Sequence, residues 1–227
     1  MKSVKKSNAK PVIKILKIVG AALGIIIFIA AIFVGVLTVT EYKPQDSEDL
    51  TVTYNDQQAT QDDSFPTDTN KLSQQKELSI GDNISVVTWN IGYGSLGANA
   101  DFFMDGGDSV YTSTKEQVLT NMSAITEELN SLSPDIILLQ EVDEKSSRSH
   151  KINEASIIRD ELPSYNSSYA YNYKTLMVPY PIPPIGQVAS GIMTLSTYPV
   201  STACRTKLPC PFSYPIRPVS YTHLTLP

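Results

Sequence analysis

The chain is 227 residues long, 41% of it is hydrophobic, and its net charge is −5. Six lysines and no acid lie in the first 39 residues, so the remainder holds 12 basic and 23 acidic residues and has a net charge of −11. This acidic balance argues against strong binding of duplex nucleic acid, and a phosphate-bearing substrate would need a divalent cation to offset the negative field.

The first hydrophobic segment is a candidate membrane span. Residues 18–39 form an uncharged run of 22 residues, which as a helix is long enough to cross a hydrocarbon layer of ~30 Å. The run exceeds the ~7–15 apolar residues of a typical secretory signal, and no clear small-x-small site follows it, so a retained anchor is favoured over a cleaved signal. Because residues 1–17 are basic, we predict a cytoplasmic tail and a single-pass protein of the cell membrane with an extracellular C-terminal domain.

The segment that follows the candidate span is polar. Residues 40–80 are dominated by Asp, Gln, Ser, Thr and Asn and have no sustained hydrophobic period. Such a segment buries too little apolar surface to offset the entropy lost on ordering. We therefore predict a disordered, flexible linker here and a globular domain over residues 81–217.

Regular structure in this domain is predicted to begin with a buried strand over residues 84–91, which are rich in β-branched side chains. A helix then starts at Ser113, where Ser-Thr-Lys-Glu has the form of a capping box. Apolar residues follow at spacings of four and three, which indicates one buried helix face. The members of this stripe are Val118, Met122, Ile125, Leu129 and Leu132.

The pattern changes again after the helix. A short apolar run after Pro134 predicts a buried strand over residues 135–140. A second helix is predicted over 153–162, and further strands are predicted over 167–174 and 190–196. Residues 178–187 contain four prolines and therefore predict an extended loop between these last two strands.

The order strand, helix, strand across residues 84–140 is that of a crossover connection, which makes the two strands parallel. Their carboxyl ends then lie at one edge of the sheet, with Asn90 ending the first strand and Glu141 directly after the second. A carboxylate there can hold a hard cation such as Mg²⁺, and a neutral amide can bind a phosphate oxygen or orient the carboxylate. By itself the pattern also fits a surface glutamate and a turn-forming asparagine.

Three segments carry a resemblance to a known family. They read VVTWNIGYG at 86–94, PDIILLQEVD at 134–143 and SGIMTLSTYPV at 190–200. In this order and spacing they resemble the first blocks of the endonuclease/exonuclease/phosphatase family, which includes DNase I-like nucleases and bacterial sphingomyelinases. The resemblance covers roughly residues 84–212 and implies an α/β fold, a two-sheet, four-layer sandwich of DNase I-like type.

The resemblance also implies an activity and a site. The expected reaction is metal-dependent hydrolysis of a phosphoester, with Mg²⁺ or Mn²⁺ as the cofactor. Glu141 matches the family's metal-binding glutamate, and Asn90 matches its asparagine near the scissile phosphate, so both are predicted to be catalytic. The phosphoester could belong to nucleic acid, a phospholipid head group, an inositol phosphate or a sugar phosphate, and the oligomeric state is also open.

Two later blocks of the family, Asp-x-Asn and Ser-Asp-His, are missing after the third matching segment. We therefore expect an incomplete sandwich: an inactive fragment that lacks the C-terminal catalytic motifs and ends in a non-native tail over residues 218–227. The alternative hypothesis is a non-catalytic surface module that reuses the fold for binding.

Other polar residues are interpreted without a catalytic role. Arg148 and His150 are predicted to be surface side chains. Cys204 and Cys210 either form a small disulfide loop or stay as two thiols. Three acids in the loop before the first domain helix miss the spacing of a calcium-binding EF-hand, so we interpret them as solvated. They are Asp101, Asp105 and Asp108.

Overall fold

A computed structural model describes residues 9–40, 42–54, 78–98 and 100–208 of the chain. The chain divides into two compact units, Met1–Glu41 and Tyr42–Pro227. The first unit contains helix α1 (Ala9–Val39). Its segment Ile13–Val39 has a mean hydropathy of 2.9 and is long and apolar enough to span a membrane, a test that an N-terminal signal sequence also passes.

The second unit is built on a five-stranded sheet. In spatial order its strands, numbered along the chain, are β2 (Val52–Thr53), β5 (Asn166–Val178), β6 (Gly186–Ser196), β4 (Ile136–Asp143) and β3 (Val86–Asn90). Strands β3 and β4 are parallel, as the crossover pattern predicts, and the other neighbours are antiparallel. A second sheet pairs β1 (Ser47–Leu50) with β7 (Ala203–Thr206).

Two helices pack against one face of the large sheet. Helix α2 (Lys115–Leu132) buries every member of the predicted apolar stripe except Leu132, which is exposed, and helix α3 (Glu154–Glu161) lies beside it. Apolar residues of β4 and β6 meet these helices because alternate residues of a strand point to the same face. The fully buried members of this core include Val118, Met122, Leu129, Ile137, Leu139, Ile158, Met193 and Leu195.

Helix α2 begins one residue later than the capping-box interpretation predicts. Thr114, not Ser113, is the N-cap, and its side chain accepts a hydrogen bond from the backbone N–H of Gln117 at 3.2 Å. The Ser113 hydroxyl instead donates to the carbonyl of Ser95 at 2.8 Å. Both Ser113–Glu116 and Thr114–Gln117 have a hydroxyl residue followed three positions later by Glu or Gln, so either could form a capping box. Tertiary contacts decide which hydroxyl residue becomes the N-cap.

The predicted linker over residues 40–80 is wrong between residues 47 and 53, where β1 and β2 form. Strand β1 pairs with β7, more than 150 residues later in the chain, and β2 pairs with β5. Glu48 and Arg205 also form an ion pair across the small sheet, with Oε2 and Nη1 at 3.4 Å. These partners lie far away in sequence, so local composition does not reveal them. Residues 55–77, Cys210 and the tail over residues 218–227 lie outside the described residues.

Strands β5 and β6 are longer than predicted because they pair with each other as far as Val178 and Gly186. The proline-rich segment is therefore a shorter connection than the predicted loop over residues 178–187. On the sheet face opposite the helices, Val86, Leu138 and Ile192 are between one-third and just over one-half exposed. The arrangement is a mixed α/β fold with two sheets and an N-terminal apolar helix, which confirms the predicted fold class.

Candidate active site

The parallel pairing of β3 and β4 brings the two predicted site residues together. Asn90 pairs with Gln140, the residue directly before Glu141. The Asn90 side-chain amide donates a hydrogen bond from Nδ2 to Oε1 of Glu141 at 3.1 Å. Asn90 is exposed, whereas Glu141 is buried. The structure thus confirms the predicted proximity of these two side chains.

A local irregularity in β4 sets the direction of the Glu141 side chain. The pairing of β4 with β6 shifts between Leu139 and Val142, and Glu141 has a positive φ of 56°. A bulge of this kind re-aims a side chain at the end of a strand, and a left-handed conformation is costly for a residue with a Cβ. Such backbone strain is concentrated at functional sites in proteins. It could not be predicted here from the residue types in the sequence.

The loop after β3 holds Asn90 in position. The Oδ1 atom of Asn90 accepts a hydrogen bond from the backbone N–H of Gly92 at 3.0 Å. Both the oxygen and the nitrogen of the side-chain amide are therefore hydrogen-bonded. Gly92 has a φ of +55°, and a Cβ at this position would lie 2.8 Å from Cβ of Leu96. The turn therefore requires glycine, and it presents the asparagine amide toward Glu141.

An open cleft with a volume of about 730 Å³ lies at this edge of the sheet, and both Asn90 and Glu141 line it. Its wall is largely apolar and comes from the end of β3, the following loop and helix α2. Apolar residues of the wall include Trp89, Leu96, Phe102, Met104 and Ile125. Two further acids, Asp105 and Glu128, also line the cleft, so its charged residues are all acidic.

Behind the cleft lies a buried ionic cluster that sequence reasoning missed. Arg148 bonds both carboxylate oxygens of Asp143, with Nε at 2.9 Å and Nη2 at 3.0 Å. The guanidinium group also lies over the ring of Tyr93, with Cζ 3.8 Å from the ring centroid. The prediction that Arg148 is a surface residue is wrong, because the carboxylate compensates its burial. A charged pair five residues apart, at the end of a strand and in the loop after it, has no distinctive sequence signature.

Burial and neighbouring charges change the ionisation of this cluster. Burial raises the pKa of Tyr93 above its ordinary value, so its ring is a neutral phenol beneath Arg148. Burial opposes the charge of Arg148, but the adjacent Asp143 carboxylate reverses this effect and raises its pKa. Glu154 accepts a hydrogen bond from the Asp143 backbone N–H at 2.8 Å, and burial, together with the Asp143 charge, raises the pKa of Glu154.

Two other candidates from the sequence, His150 and Asp101, are not among the residues that line the cleft. His150 is half-buried, and its Nε2 lies 2.6 Å from the carbonyl oxygen of Ser113. The interpretation of His150 as a solvated side chain is therefore wrong: the imidazole connects its loop to the start of α2. Asp101 accepts hydrogen bonds from its own loop, at the Asp108 N–H and the Ser109 hydroxyl, which explains it without a cation.

The donor atoms of the pair suit a hard divalent cation in kind. Glu141 offers a carboxylate, and Mg²⁺ is commonly held by one or two carboxylates while it keeps several waters. Over the described ranges of the chain, no group of three or more His, Cys, Asp or Glu side chains is placed to hold a metal ion. A cation at this edge would thus be held by Glu141, with water or substrate oxygens completing its coordination.

One comparison with known proteins identifies the family of the chain. The model of the Endonuclease/Exonuclease/phosphatase family matches residues 87–222, which include all of β3 after Val86, β4, both site residues and the buried cluster. The chain therefore belongs to this family, whose members are in general phosphoester hydrolases. No curated protein and no solved structure matches the chain.

Proposed function

We propose that the chain is a membrane-anchored, outward-facing phosphoester hydrolase that depends on Mg²⁺ or Mn²⁺. One observation carries this proposal: the Asn90 amide bonds the buried Glu141 carboxylate at the wall of an open cleft, in a chain of a hydrolase family. The family supplies the class of reaction, and the geometry supplies a candidate site for it.

Each residue of the pair has a proposed role. Glu141 holds the divalent cation, and Asn90 restricts the rotation of the Glu141 carboxylate through the bond to Oε1. When bound, the cation would stabilise negative charge on the phosphoryl oxygens and the leaving group. The apolar wall of the cleft strengthens these interactions because it lowers the local dielectric constant.

The charge of the cleft bears on the substrate. Asp105 and Glu128 add negative charge beside Glu141, so an anionic phosphoester would be repelled unless a cation is present. The segment after residue 39 is strongly acidic as a whole, which disfavours long duplexes. Short nucleic acids, phospholipid head groups, inositol phosphates and sugar phosphates are the proposed substrate panel.

The proposed anchor is helix α1. Its segment Ile13–Val39 meets the length and hydropathy requirement for a span, and the lysines before it would keep the N-terminus in the cytoplasm. The catalytic unit would then act on extracellular or membrane-proximal phosphoesters.

The decisive experiment is a cation titration of the full chain in detergent micelles. We expect Glu141→Gln to weaken Mn²⁺ binding by about tenfold or more, because removal of a charged ligand costs more than ~1.4 kcal/mol, the free energy of a tenfold change. Glu128→Gln removes the same charge from the same cleft. Because Glu128 is exposed and its charge is screened by solvent, this change should alter the Mn²⁺ affinity by less than about twofold. Competition with Mg²⁺ then shows whether the two cations share the site.

The same variants separate the proposal from the non-catalytic alternative. Mn²⁺ affinity that is equal in the parent chain and in Glu141→Gln would favour a binding module that reuses the fold. Hydrolysis of the substrate panel, dependent on added Mg²⁺ and abolished in Glu141→Gln but retained in Glu128→Gln, would support the enzyme.

A further inference from the structure

The segments that follow Asn90 and Glu141 meet at one side chain, Arg148. Asp143 lies two residues after Glu141 and receives two hydrogen bonds from the guanidinium group, at 2.9 and 3.0 Å. Tyr93 lies three residues after Asn90, and its ring stacks 3.8 Å from the guanidinium carbon. A single planar group thus joins the two segments that carry the candidate site residues.

The surroundings of Arg148 hold it in one orientation. Its Nη2 donates to the hydroxyl of Ser190 at 3.2 Å, and its backbone carbonyl accepts from the Ser95 hydroxyl at 3.3 Å. The Ser149 hydroxyl donates to the same Asp143 carboxylate at 3.2 Å. Because bidentate and stacked contacts use the planar fork of arginine, lysine would not reproduce this arrangement.

Stability alone is a weak explanation for such a cluster. Arg148, Asp143 and Tyr93 are all buried, and a buried ion pair gains little net stability over well-packed apolar residues of similar volume. What the cluster does provide is a defined separation between the end of β4 and the loop after β3, which an apolar contact would specify less strictly.

The conformation of Glu141 needs this kind of support. Glu141 has a left-handed backbone within a register shift of β4, and regular pairing with β6 resumes at Val142 and Asp143. A slip of one residue would turn the side chain to the other face of the sheet. Contacts that hold Asp143 therefore hold the far end of the bulge that directs Glu141.

We propose that Arg148 is a positioning residue that holds Glu141 and Asn90 in the geometry needed to bind a divalent cation. It acts through Asp143 on one side and Tyr93 on the other and contacts neither cation nor substrate. This inference rests on the proposed function of Glu141 as a cation ligand.

The test uses the full chain in detergent micelles and measures Mn²⁺ affinity and stoichiometry by calorimetry. The double variant Asp143→Asn/Arg148→Met removes both charges of the pair, so neither partner is left buried without the other. Loss of a group that orients a ligand typically weakens metal binding by about 10–100-fold. We expect at least a tenfold weaker affinity at unchanged stoichiometry, and a smaller loss in the same direction in Arg148→Lys. A double variant that retains the parent affinity would overturn the inference.

Two further arms distinguish positioning from a general loss of structure. The matched control is Glu48→Gln/Arg205→Met, which removes the ion pair of the small sheet and should leave Mn²⁺ affinity unchanged. A fall in stoichiometry at constant affinity would mean that Arg148 merely supports folding, and would also overturn the inference.

In the Glu141→Gln background, removal of the Asp143–Arg148 pair should weaken residual binding no further, because both changes act on the same ligand. A full additional loss there would contradict action through Glu141. If Glu141→Gln itself leaves the affinity of the parent chain unchanged, the proposed function fails first, and this result is distinguishable from a failure confined to Arg148.

Discussion

At the scale of single residues, the candidate site depends on residues that each make more than one hydrogen bond. Asn90 donates to Glu141 and accepts from Gly92, so its amide links the turn after β3 to the bulge in β4. Asp143 accepts from Arg148 and Ser149 through its side chain and donates to Glu154 through its backbone. Shared hydrogen bonds of this kind order a small polar region within an otherwise apolar core.

The raised pKa of Glu154 predicts a particular pH dependence of stability. The carboxyl group is buried against Asp143, with Arg148 and Glu141 nearby, so it binds its proton more tightly in the folded state than in the unfolded state, where its pKa is about 4.5. Its contribution to stability is therefore complete below about pH 4.5 and is lost as the pH rises through the folded-state pKa.

We expect Glu154→Gln, which mimics the neutral carboxyl group, to gain stability relative to the parent chain as the pH rises above about 4.5. Urea midpoints between pH 4 and 8 measure this difference, and the exposed Glu161→Gln on the same helix should show no such trend. Parallel pH profiles for Glu154→Gln and the parent chain would refute the assignment of a neutral Glu154.

At the scale of elements, helix α2 links the cleft to the hydrophobic core. Its buried face packs on β4 and β6, while Asn121 at its edge donates to the carbonyl of Gly94 at 2.8 Å. Gly94 has a φ of +60°, and a Cβ there would lie 3.0 Å from the side chain of Val118. The close approach of the turn to α2 thus depends on glycine, so helix packing and site geometry are connected.

The position of leucines along α2 predicts unequal contributions to stability. Leu129 is fully buried, whereas Leu132, one turn later, is 53% exposed. We expect Leu129→Ala to lower the free energy of unfolding by about 2–5 kcal/mol, and Leu132→Ala to lower it by less than about 1 kcal/mol. Urea unfolding followed by fluorescence of Trp89, the single tryptophan, reports both because its side chain packs against this core. Equal losses in the two variants would contradict the packing of α2 described above.

At the scale of the whole molecule, charge and hydropathy separate along the chain. All six lysines of the first 39 residues lie before or at the start of the apolar run, and every acidic residue follows it. A retained span with a cytoplasmic N-terminus would place the acidic unit in the extracellular medium. A cleaved signal would release the same unit from the membrane, so the two alternatives differ in an observable way.

Labelling of engineered cysteines tests this topology. In a chain with Cys204→Ser and Cys210→Ser, we expect Lys115→Cys to react with a membrane-impermeant maleimide in intact cells, and Ser3→Cys to react only after lysis. The full-length chain should stay in the membrane fraction after alkaline extraction, because a span inserts almost irreversibly. A shortened chain in the medium would instead identify α1 as a signal sequence.

Much of the fold could be predicted from local patterns. The apolar period of α2 is dictated by the need to bury one face of a helix, and the β-branched runs of β3 and β4 favour strands. The prediction that these strands are buried holds only for the face toward the helices, because Val86 and Leu138 are exposed on the other face. The crossover rule then makes β3 and β4 parallel and brings Asn90 close to Glu141. Strands β1 and β2 were not predicted, because their partners, β7 and β5, lie more than 100 residues later in the sequence.

The amino-acid sequence by itself determined the apolar helix, the parallel pair of strands and the edge at which an amide and a carboxylate meet, because each follows from short-range periodicity and chain chirality. Only the tertiary structure decided that Glu141 takes a left-handed conformation in a bulge and that Arg148 is buried between Asp143 and Tyr93. Backbone torsions and buried charge pairs depend on which distant segments supply hydrogen bonds and exclude water, and residue types read along the chain do not specify those contacts.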